Sequence, residues 1–460
     1  MLEIFFDKGT LVAQHYNCEF NKYFAFFKWD ERIQSYRAPA IFYREFVLSL
    51  REKKIPYIDK AKSFLPSEFP ISVPITPRIY QNEAISSWIA KGSRGVIVLP
   101  TGAGKTILAV LAISQIQRPT LIHVPTLDLM NQWRQILEKF FQRPIGQIGG
   151  GIFIEESITV ATYDSALIHV SNQGNKFGFI IFDECHHLPS DQMQYTAISS
   201  LAPFRLGLTA TPERSDGKEK RLYELCGSLC YEVGIKELEG FTLSPYDVVT
   251  IEVEMSQIEK TQYEESRKIY LSFLKENNIN FNQKGAWHRF LWLASKKTNG
   301  REAFLSYLKQ KKLSQSSENK FLYVWDLICK HKNDRIIIFT QDNESAYHIG
   351  RKFLLPVISH HTKTKERELF LNSFREGSYK ILVTSKVLNE GVDVPDANVA
   401  IVVSGSGTVR EHVQRLGRIL RAKEGKKAVL YELISAGTGE YFVNQRRRMH
   451  SAYEKGTSEL

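Results

Sequence analysis

A chain of 460 residues is too long for one hydrophobic core and implies about two to four domains. Its 43% hydrophobic and 24% charged content is that of a soluble globular protein, with no apolar run of roughly eighteen residues and no signal-peptide pattern, so neither membrane spanning nor export is expected. A formal charge of +11 and a pI near 9.2 favour a polyanionic partner, although an ordinary basic enzyme has the same balance. The five cysteines, at 18, 185, 226, 230 and 329, form no paired framework or zinc pattern, which fits a reducing, cytoplasmic location.

Residues 1–66 read as a small α+β domain. Leu2–Phe6 and Leu11–Ala13 are short strands, Tyr23–Trp29 is an aromatic strand, and Phe42–Lys53 is an amphipathic helix. No catalytic constellation shows there. Prolines at 66, 70, 74 and 77 forbid regular helix or central strand and mark a linker. Over 67–243 strands and helices alternate, with strands at Val96–Leu99, Thr120–Val124, Ile158–Ala161, Ile180–Phe182 and Arg205–Leu208. That alternation implies βαβ units and a doubly wound parallel sheet, an α/β fold.

The first strand runs into Leu99-Pro100-Thr101-Gly102-Ala103-Gly104-Lys105-Thr106 and then an apolar helix. Strand, glycine-rich loop and helix make a phosphate-binding loop, with Leu99 where its first glycine usually stands. Past Pro100, which has no N–H, backbone N–H groups from Thr101 to Thr106 can close around phosphate oxygens at the helix N-terminus. Lys105 can reach the β- and γ-phosphates, and the Thr106 hydroxyl can ligate Mg²⁺. Downstream, the apolar Phe179–Phe182 ends in Asp183-Glu184-Cys185-His186-His187. Carboxylates at the C-terminal end of a buried strand sit where open α/β sheets place ligands. Asp183 suits the Mg²⁺ shell, and Glu184 suits polarising the attacking water. His186 can bridge this site to neighbouring motifs, and His187 is expected to be structural.

Residues 244–320 have a different character. Gln257–Lys275, Ala286–Lys296 and Arg301–Lys312 are helical in period, rich in lysine, and carry Trp287, Phe290 and Trp292. Either these aromatics are a core between packed helices, or the insert grips nucleic acid with aromatics available for stacking. Over 321–460 the alternation returns, with strands at Arg335–Phe339, Tyr379–Val383, Val399–Val403 and Lys427–Tyr431 but no second phosphate loop. Two similar folds with one nucleotide loop imply ATP in a cleft between them. The basic run Arg446–Arg448 reads as a solvated face.

These pieces, in this order from Gln81 to Arg421, resemble a superfamily 2 nucleic-acid helicase. Tyr80-Gln81 looks like the adenine-reading motif. Thr126 after Pro125, and Thr162 before Tyr163-Asp164, look like DNA-contacting motifs, as do Thr340 after Phe339 and Thr384 at the start of motif V. Leu208-Thr-Ala-Thr-Pro212 looks like the segment that couples ATP state to domain closure. Motif V also contains Gly391 and Asp393, expected at the nucleotide. Gln414-Arg-Leu-Gly-Arg418-Ile-Leu-Arg421 looks like motif VI. Gln414, Arg418 and Arg421 then join the catalytic set. The two arginines share a helix face at (i, i+3) and act as arginine fingers.

Within the superfamily the chain is most similar to archaeal XPB-type DNA repair helicases. The resemblance rests on residues 183–187, Ala202–Thr209, Val392–Asn398, Ser404–Gly407 and 414–421. It implies two RecA-like motor domains, an N-terminal damage-recognition-like domain and a thumb-like insert. It also implies ATP and Mg²⁺ use, 3′→5′ movement on double-stranded, forked or bubble DNA in nucleotide excision repair, and a partner nuclease. The family's Arg-Glu-Asp wedge appears here as Arg214-Ser215-Asp216, with Arg214 and Asp216 as the expected DNA contacts. The missing central carboxylate weakens expected strand separation. A clamp whose ATP cycle regulates a nuclease, or an RNA helicase, would carry the same motor.

Overall fold

The computed structural model describes residues 2–14, 24–212, 217–238, 246–281, 283, 285–385, 397–404 and 428–441. The described chain divides into two compact units, one ending at Leu238 and one beginning after it.

The first unit opens with β1 (Leu2–Asp7), β2 (Thr10–Gln14), β3 (Lys28–Asp30), β4 (Ser35–Pro39) and β5 (Tyr57–Asp59). They form one sheet in the order β3-β4-β2-β1-β5. Lys8 and Gly9, both at positive φ (45° and 83°), make the two-residue turn of the β1–β2 hairpin. Helix Tyr43–Glu52 buries Tyr43, Phe46, Val47 and Leu50 in the core of this domain. The expected aromatic strand at 23–29 is corrected: within the described residues, strand begins only at Lys28. A strand would send alternate phenylalanines to solvent. A turn closed by Phe27 N–H to Phe24 C=O (3.0 Å) instead sets Phe24 and Phe27 against Phe46, each with ring centroids 4.7 Å away.

This domain is fixed to the next by polar clasps. Arg44 donates to the carbonyls of Gly92 (2.7 Å) and Pro203 (2.9 Å), and Asn175 donates to that of Ala61 (2.9 Å). Residues 66–77 cross between the domains with no regular element, as their prolines require.

The larger sheet of this unit contains β6 (Arg94–Val98), β7 (Thr120–Val124), β8 (Gly146–Gly149), β9 (Ile152–Ile154), β10 (Ile158–Thr162), β11 (Phe179–Asp183), β12 (Phe204–Thr209) and β13 (Leu229–Glu232). Their order is β13-β6-β12-β11-β7-β10-β8-β9, parallel except for the β8–β9 hairpin. The central strands are buried on both faces, which is why they read as unbroken apolar runs. Arg205 of β12 is fully buried, its guanidinium donating to four carbonyls, those of Ala197, Ser200, Ala202 and Leu225.

The second unit holds β14 (Tyr246–Val253), β15 (Ile336–Phe339), β16 (Val357–Ile358), β17 (Ile381–Thr384), β18 (Val399–Val402) and β19 (Ala428–Ser435), in the order β14-β19-β18-β15-β17-β16 with every pairing parallel. Both large sheets are RecA-like. Although β14 falls inside the stretch 244–320, it is an edge strand of this sheet, paired along its length with β19. The helical insert proper is Gln257–Glu276, Ala286–Lys296 and Gly300–Gln315, packed around Phe273, Phe290 and Ala303. Among the described residues, no helix is long and apolar enough to cross a membrane.

Candidate nucleotide site and its links to the DNA-facing motifs

The loop after β6 is held at its entrance by the Leu99 N–H bonded to the Thr209 carbonyl (2.9 Å). Gly102 and Gly104 have φ of 85° and 81°, a region that costs glycine nothing. Gly104 caps helix Lys105–Ile116, whose first-turn N–H groups have no intrahelical acceptor and face the loop. From below, the Tyr80 hydroxyl donates to the Ala103 carbonyl (2.6 Å). Gln81 Nε2 donates to the carbonyls of Ala103 and Gly104 (3.3 Å each). A Cβ at position 104 would lie 2.7 Å from that amide nitrogen. Gln81, expected to read adenine, is here a buried brace of the loop, with Oε1 accepting the Arg78 N–H (2.9 Å).

At the end of β11 the two carboxylates diverge. Glu184 sits at φ 48° and turns its side chain to the loop, where Oε1 lies 3.1 Å from Lys105 Nζ. Asp183 is buried, with Oδ2 accepting the Trp133 indole N–H (2.7 Å) and Oδ1 the Glu184 backbone N–H (3.0 Å). The Tyr163 hydroxyl donates to the Asp183 carbonyl (3.0 Å). Burial raises the Asp183 carboxyl to about 6, with the Glu184 charge adding to the rise and Lys105 opposing it.

His186 is buried beside this pair. Its Nδ1 is 3.1 Å from Thr209 Oγ1 and 3.5 Å from Glu184 Oε2. The Thr209 hydroxyl in turn donates to the Thr211 carbonyl (3.0 Å). The carboxylate strand is thus joined by one imidazole to the segment 208–212. His187 is half-buried, its ring tilted 39° from that of His186 with centroids 4.2 Å apart.

Thr126 and Thr162 each cap a helix, accepting the N–H of Leu129 (3.2 Å) and of Ser165 (3.3 Å). Both stand at the C-terminal edge of the sheet, beside Gly149 and Gly150. A Cβ on Gly149 would lie 3.2 Å from Thr162 Cγ2 and from Met130 Sδ, and one on Gly150 would lie 3.2 Å from Leu127. In the second unit Thr340 and Thr384 are fully buried at the ends of β15 and β17, their hydroxyls donating to the carbonyls of Asp342 (2.8 Å) and Ser385 (3.0 Å).

The loop residues Thr101 and Thr106 are half-buried, and Thr101 Oγ1 has no hydrogen-bond partner. Arg214, Ser215, Asp216, Gly391, Asp393, Gln414, Arg418 and Arg421 lie outside the described residues. Sequence reasoning missed Trp133 and Tyr163 as partners of Asp183, and Gly149–Gly151 as part of the Thr126–Thr162 ledge. The only signal was the tryptophan at the seventh position after Thr126, two helical turns on.

Three family profiles match consecutive parts of the chain. Residues 4–61 match the xeroderma pigmentosum group B helicase damage recognition domain, 74–214 the res subunit of type III restriction enzymes, and 298–454 the ERCC3/RAD25/XPB C-terminal helicase. The chain is 42% identical over 422 residues to the "DNA 3'-5' translocase XPB2" of Sulfurisphaera tokodaii, covering 92% of this chain and 95% of that protein. It is 29% identical to the "DNA 3'-5' helicase XPB" of Mycobacterium tuberculosis over 80% of this chain and 63% of that longer one. It is 26% identical to the TFIIH helicase/translocase subunit XPB/SSL2 of Saccharomyces cerevisiae over 81% of this chain and 43% of that one. In fold it resembles the Hef helicase domain of Pyrococcus furiosus, with a TM-score of 0.50 at 18% identity over 80% of this chain and 98% of that domain. With a phosphate loop, a strand-end carboxylate pair and a histidine link between them and segment 208–212, and with these relatives along nearly its whole length, the chain belongs to the XPB helicase family.

Proposed function

We propose that this chain is an ATP-hydrolysing 3′→5′ DNA translocase and helicase acting on double-stranded, forked or bubble DNA in nucleotide excision repair. The observation that carries the reading is the ion pair of Lys105 with Glu184, beside buried Asp183, with His186 joining Glu184 through Thr209 to the segment 208–212. The domains we assign with it are damage-recognition-like 1–66, ATP-binding motor 67–243, thumb-like insert 244–320 and second motor 321–460; the XPB matches over 4–61 and 298–454 support the first and last. The location that goes with this reading is cytoplasmic, and nucleoid-associated for an archaeal chain.

The residues fit a magnesium nucleotide. Among the described residues, no group of three His, Cys, Asp or Glu side chains forms an all-protein metal cage. One carboxylate (Asp183), one hydroxyl (Thr106) and substrate phosphates are the hard oxygen set that Mg²⁺ takes. The ion supplies charge neutralisation at the phosphates. Lys105 holds the β- and γ-phosphates, and the unpartnered Thr101 hydroxyl faces the same loop. Glu184 orients and deprotonates the attacking water. Arg418 and Arg421 serve as arginine fingers, with Gln414, Gly391 and Asp393 beside them. The ledge of Thr126, Gly149–Gly151 and Thr162 takes the DNA backbone, with Arg214, Asp216, Thr340 and Thr384 as further contacts. The finer partner we infer is a nuclease that cuts the opened DNA.

The deciding experiment is ATPase and unwinding on 3′-tailed, forked and bubble DNA, with equal-length RNA as comparison and with and without the nuclease. DNA-stimulated hydrolysis with 3′-tail-dependent opening supports the reading. Stimulation by RNA alone, or hydrolysis never accompanied by movement, overturns it.

A further inference from the structure

We propose that Trp133 is a positioning residue that links occupancy of the Thr126 end of its helix to the carboxylate of Asp183. The inference rests on the ATP-driven DNA reading above and adds a physical connection within the first motor domain.

Helix Leu127–Phe141 is amphipathic, with Met130, Trp133, Leu137 and Phe141 buried on its inner face. Its N-cap is Thr126, and Trp133 lies seven residues later, two turns along the same face. The indole is 1% exposed and its N–H donates to Asp183 Oδ2 at 2.7 Å, a short, charge-assisted bond. Packing alone would not require a nitrogen: phenylalanine fills an apolar wall equally well. The other Asp183 oxygen is held by a backbone N–H, so the indole is the side chain that fixes the carboxylate's rotation. The same helix face meets the ledge, since Met130 Sδ and Thr162 both lie against Gly149, and Leu127 lies against Gly150. A rigid helix bound to a phosphodiester at its cap and to Asp183 two turns on cannot shift at one end without moving the other.

Trp88 provides the control. It is fully buried in the same domain, and its indole N–H donates to a backbone carbonyl, that of Arg205 (2.9 Å), rather than to a carboxylate. Trp133→Phe and Trp88→Phe each delete one buried indole donor. For both variants and the wild type, three quantities are measured on the full chain: the melting temperature, the fold-stimulation of ATPase by 3′-tailed DNA, and the gain in affinity for a fluorescent ADP when Mg²⁺ is added. Trp133→Phe is expected to reduce DNA stimulation about ten-fold, the effect of losing one charge-assisted hydrogen bond, and to shrink the Mg²⁺-dependent gain several-fold. Trp88→Phe is expected to lower the melting temperature while keeping both ratios.

Equal patterns in the two variants, or both ratios intact in Trp133→Phe, overturn the proposal. Should Trp133→Phe fail to melt cooperatively, the wild type is read directly by indole ¹⁵N–H NMR. Among the slowly exchanging indole signals, the one that survives in Trp88→Phe must move on adding Mg²⁺-ADP and also on adding DNA alone. A signal indifferent to DNA overturns the link. A wild type whose ATPase ignores DNA overturns the functional reading and this one together. A stimulated wild type beside an unaltered Trp133→Phe overturns this one alone.

Discussion

Lys105 Nζ and Glu184 Oε1 lie 3.1 Å apart, so the loop lysine and the strand-end glutamate neutralise each other, both largely shielded from water. In the proposed reading a triphosphate would compete for the lysine and free the glutamate for water, making nucleotide entry and base activation one exchange of partners. Lys105→Ala removes the cation from both exchanges. ATP turnover is expected to fall to background while DNA affinity stays within about two-fold, since the DNA contacts proposed above lie on other residues. Steady-state ATPase and a DNA-binding titration on the same preparation check this.

Glu184→Gln keeps the shape and the contact with Lys105 but loses the base. Hydrolysis is expected to slow by about two to four decades with ATP still bound. Single-turnover hydrolysis beside nucleotide binding distinguishes this from a loss of binding, which would reassign Glu184.

His123 gives the first unit an acid sensitivity. Burial, reinforced by the Arg205 charge, lowers its imidazole to about 3. The unfolded chain protonates it near 6.5. Between those values the unfolded state holds more protons than the folded state, so stability falls as pH falls through that window. Asp183, raised to about 6, works in the opposite sense, because its folded form binds the extra proton. His123→Leu should remove the first effect alone. Relative to wild type, the variant is expected to gain about 2 kcal/mol at pH 5 over its standing at pH 7.5, read from urea-unfolding midpoints with a common slope.

The insert's aromatics divide between buried and exposed positions. Phe290 is fully buried among Phe273, Tyr270 and Tyr307, whereas Trp292 is 61% exposed. Phe290→Ala should destabilise the insert by about 3–5 kcal/mol. Trp292→Ala should leave folding intact and weaken single-stranded DNA binding about ten-fold, the scale of one lost base stack. Thermal melts and fluorescence anisotropy on both variants test the division.

The strand–loop–helix around Lys105, the carboxylate pair and the central strands were legible because their signals are local: an apolar run, glycines free to take positive φ, and charges at a strand end. Strands β8, β9 and β13 were not, being short, and β8 is half glycine. The Phe24–Phe27 turn misled because an aromatic run has high strand propensity wherever it sits, and only Phe46 shows which side it must face. Gln81 was found as a residue, but its job as a brace depends on a loop more than twenty positions away. Trp133 could be placed two turns after Thr126, but nothing along the chain ties its indole to a carboxylate fifty residues later.

The pairing of β14 with β19 carries a consequence for synthesis. The strand that opens the second unit finds its neighbour only about 180 residues later, after the insert and four other strands have been made. Until β19 emerges from the ribosome, Tyr246–Val253 has no strand partner in this sheet, at the root of an already folding helical insert. Completion of this unit is therefore a C-terminal event. Shortening the chain before Ala428 would unseat not its own end but the segment from which the insert springs, and would leave an unpaired edge of the kind that seeds aggregation.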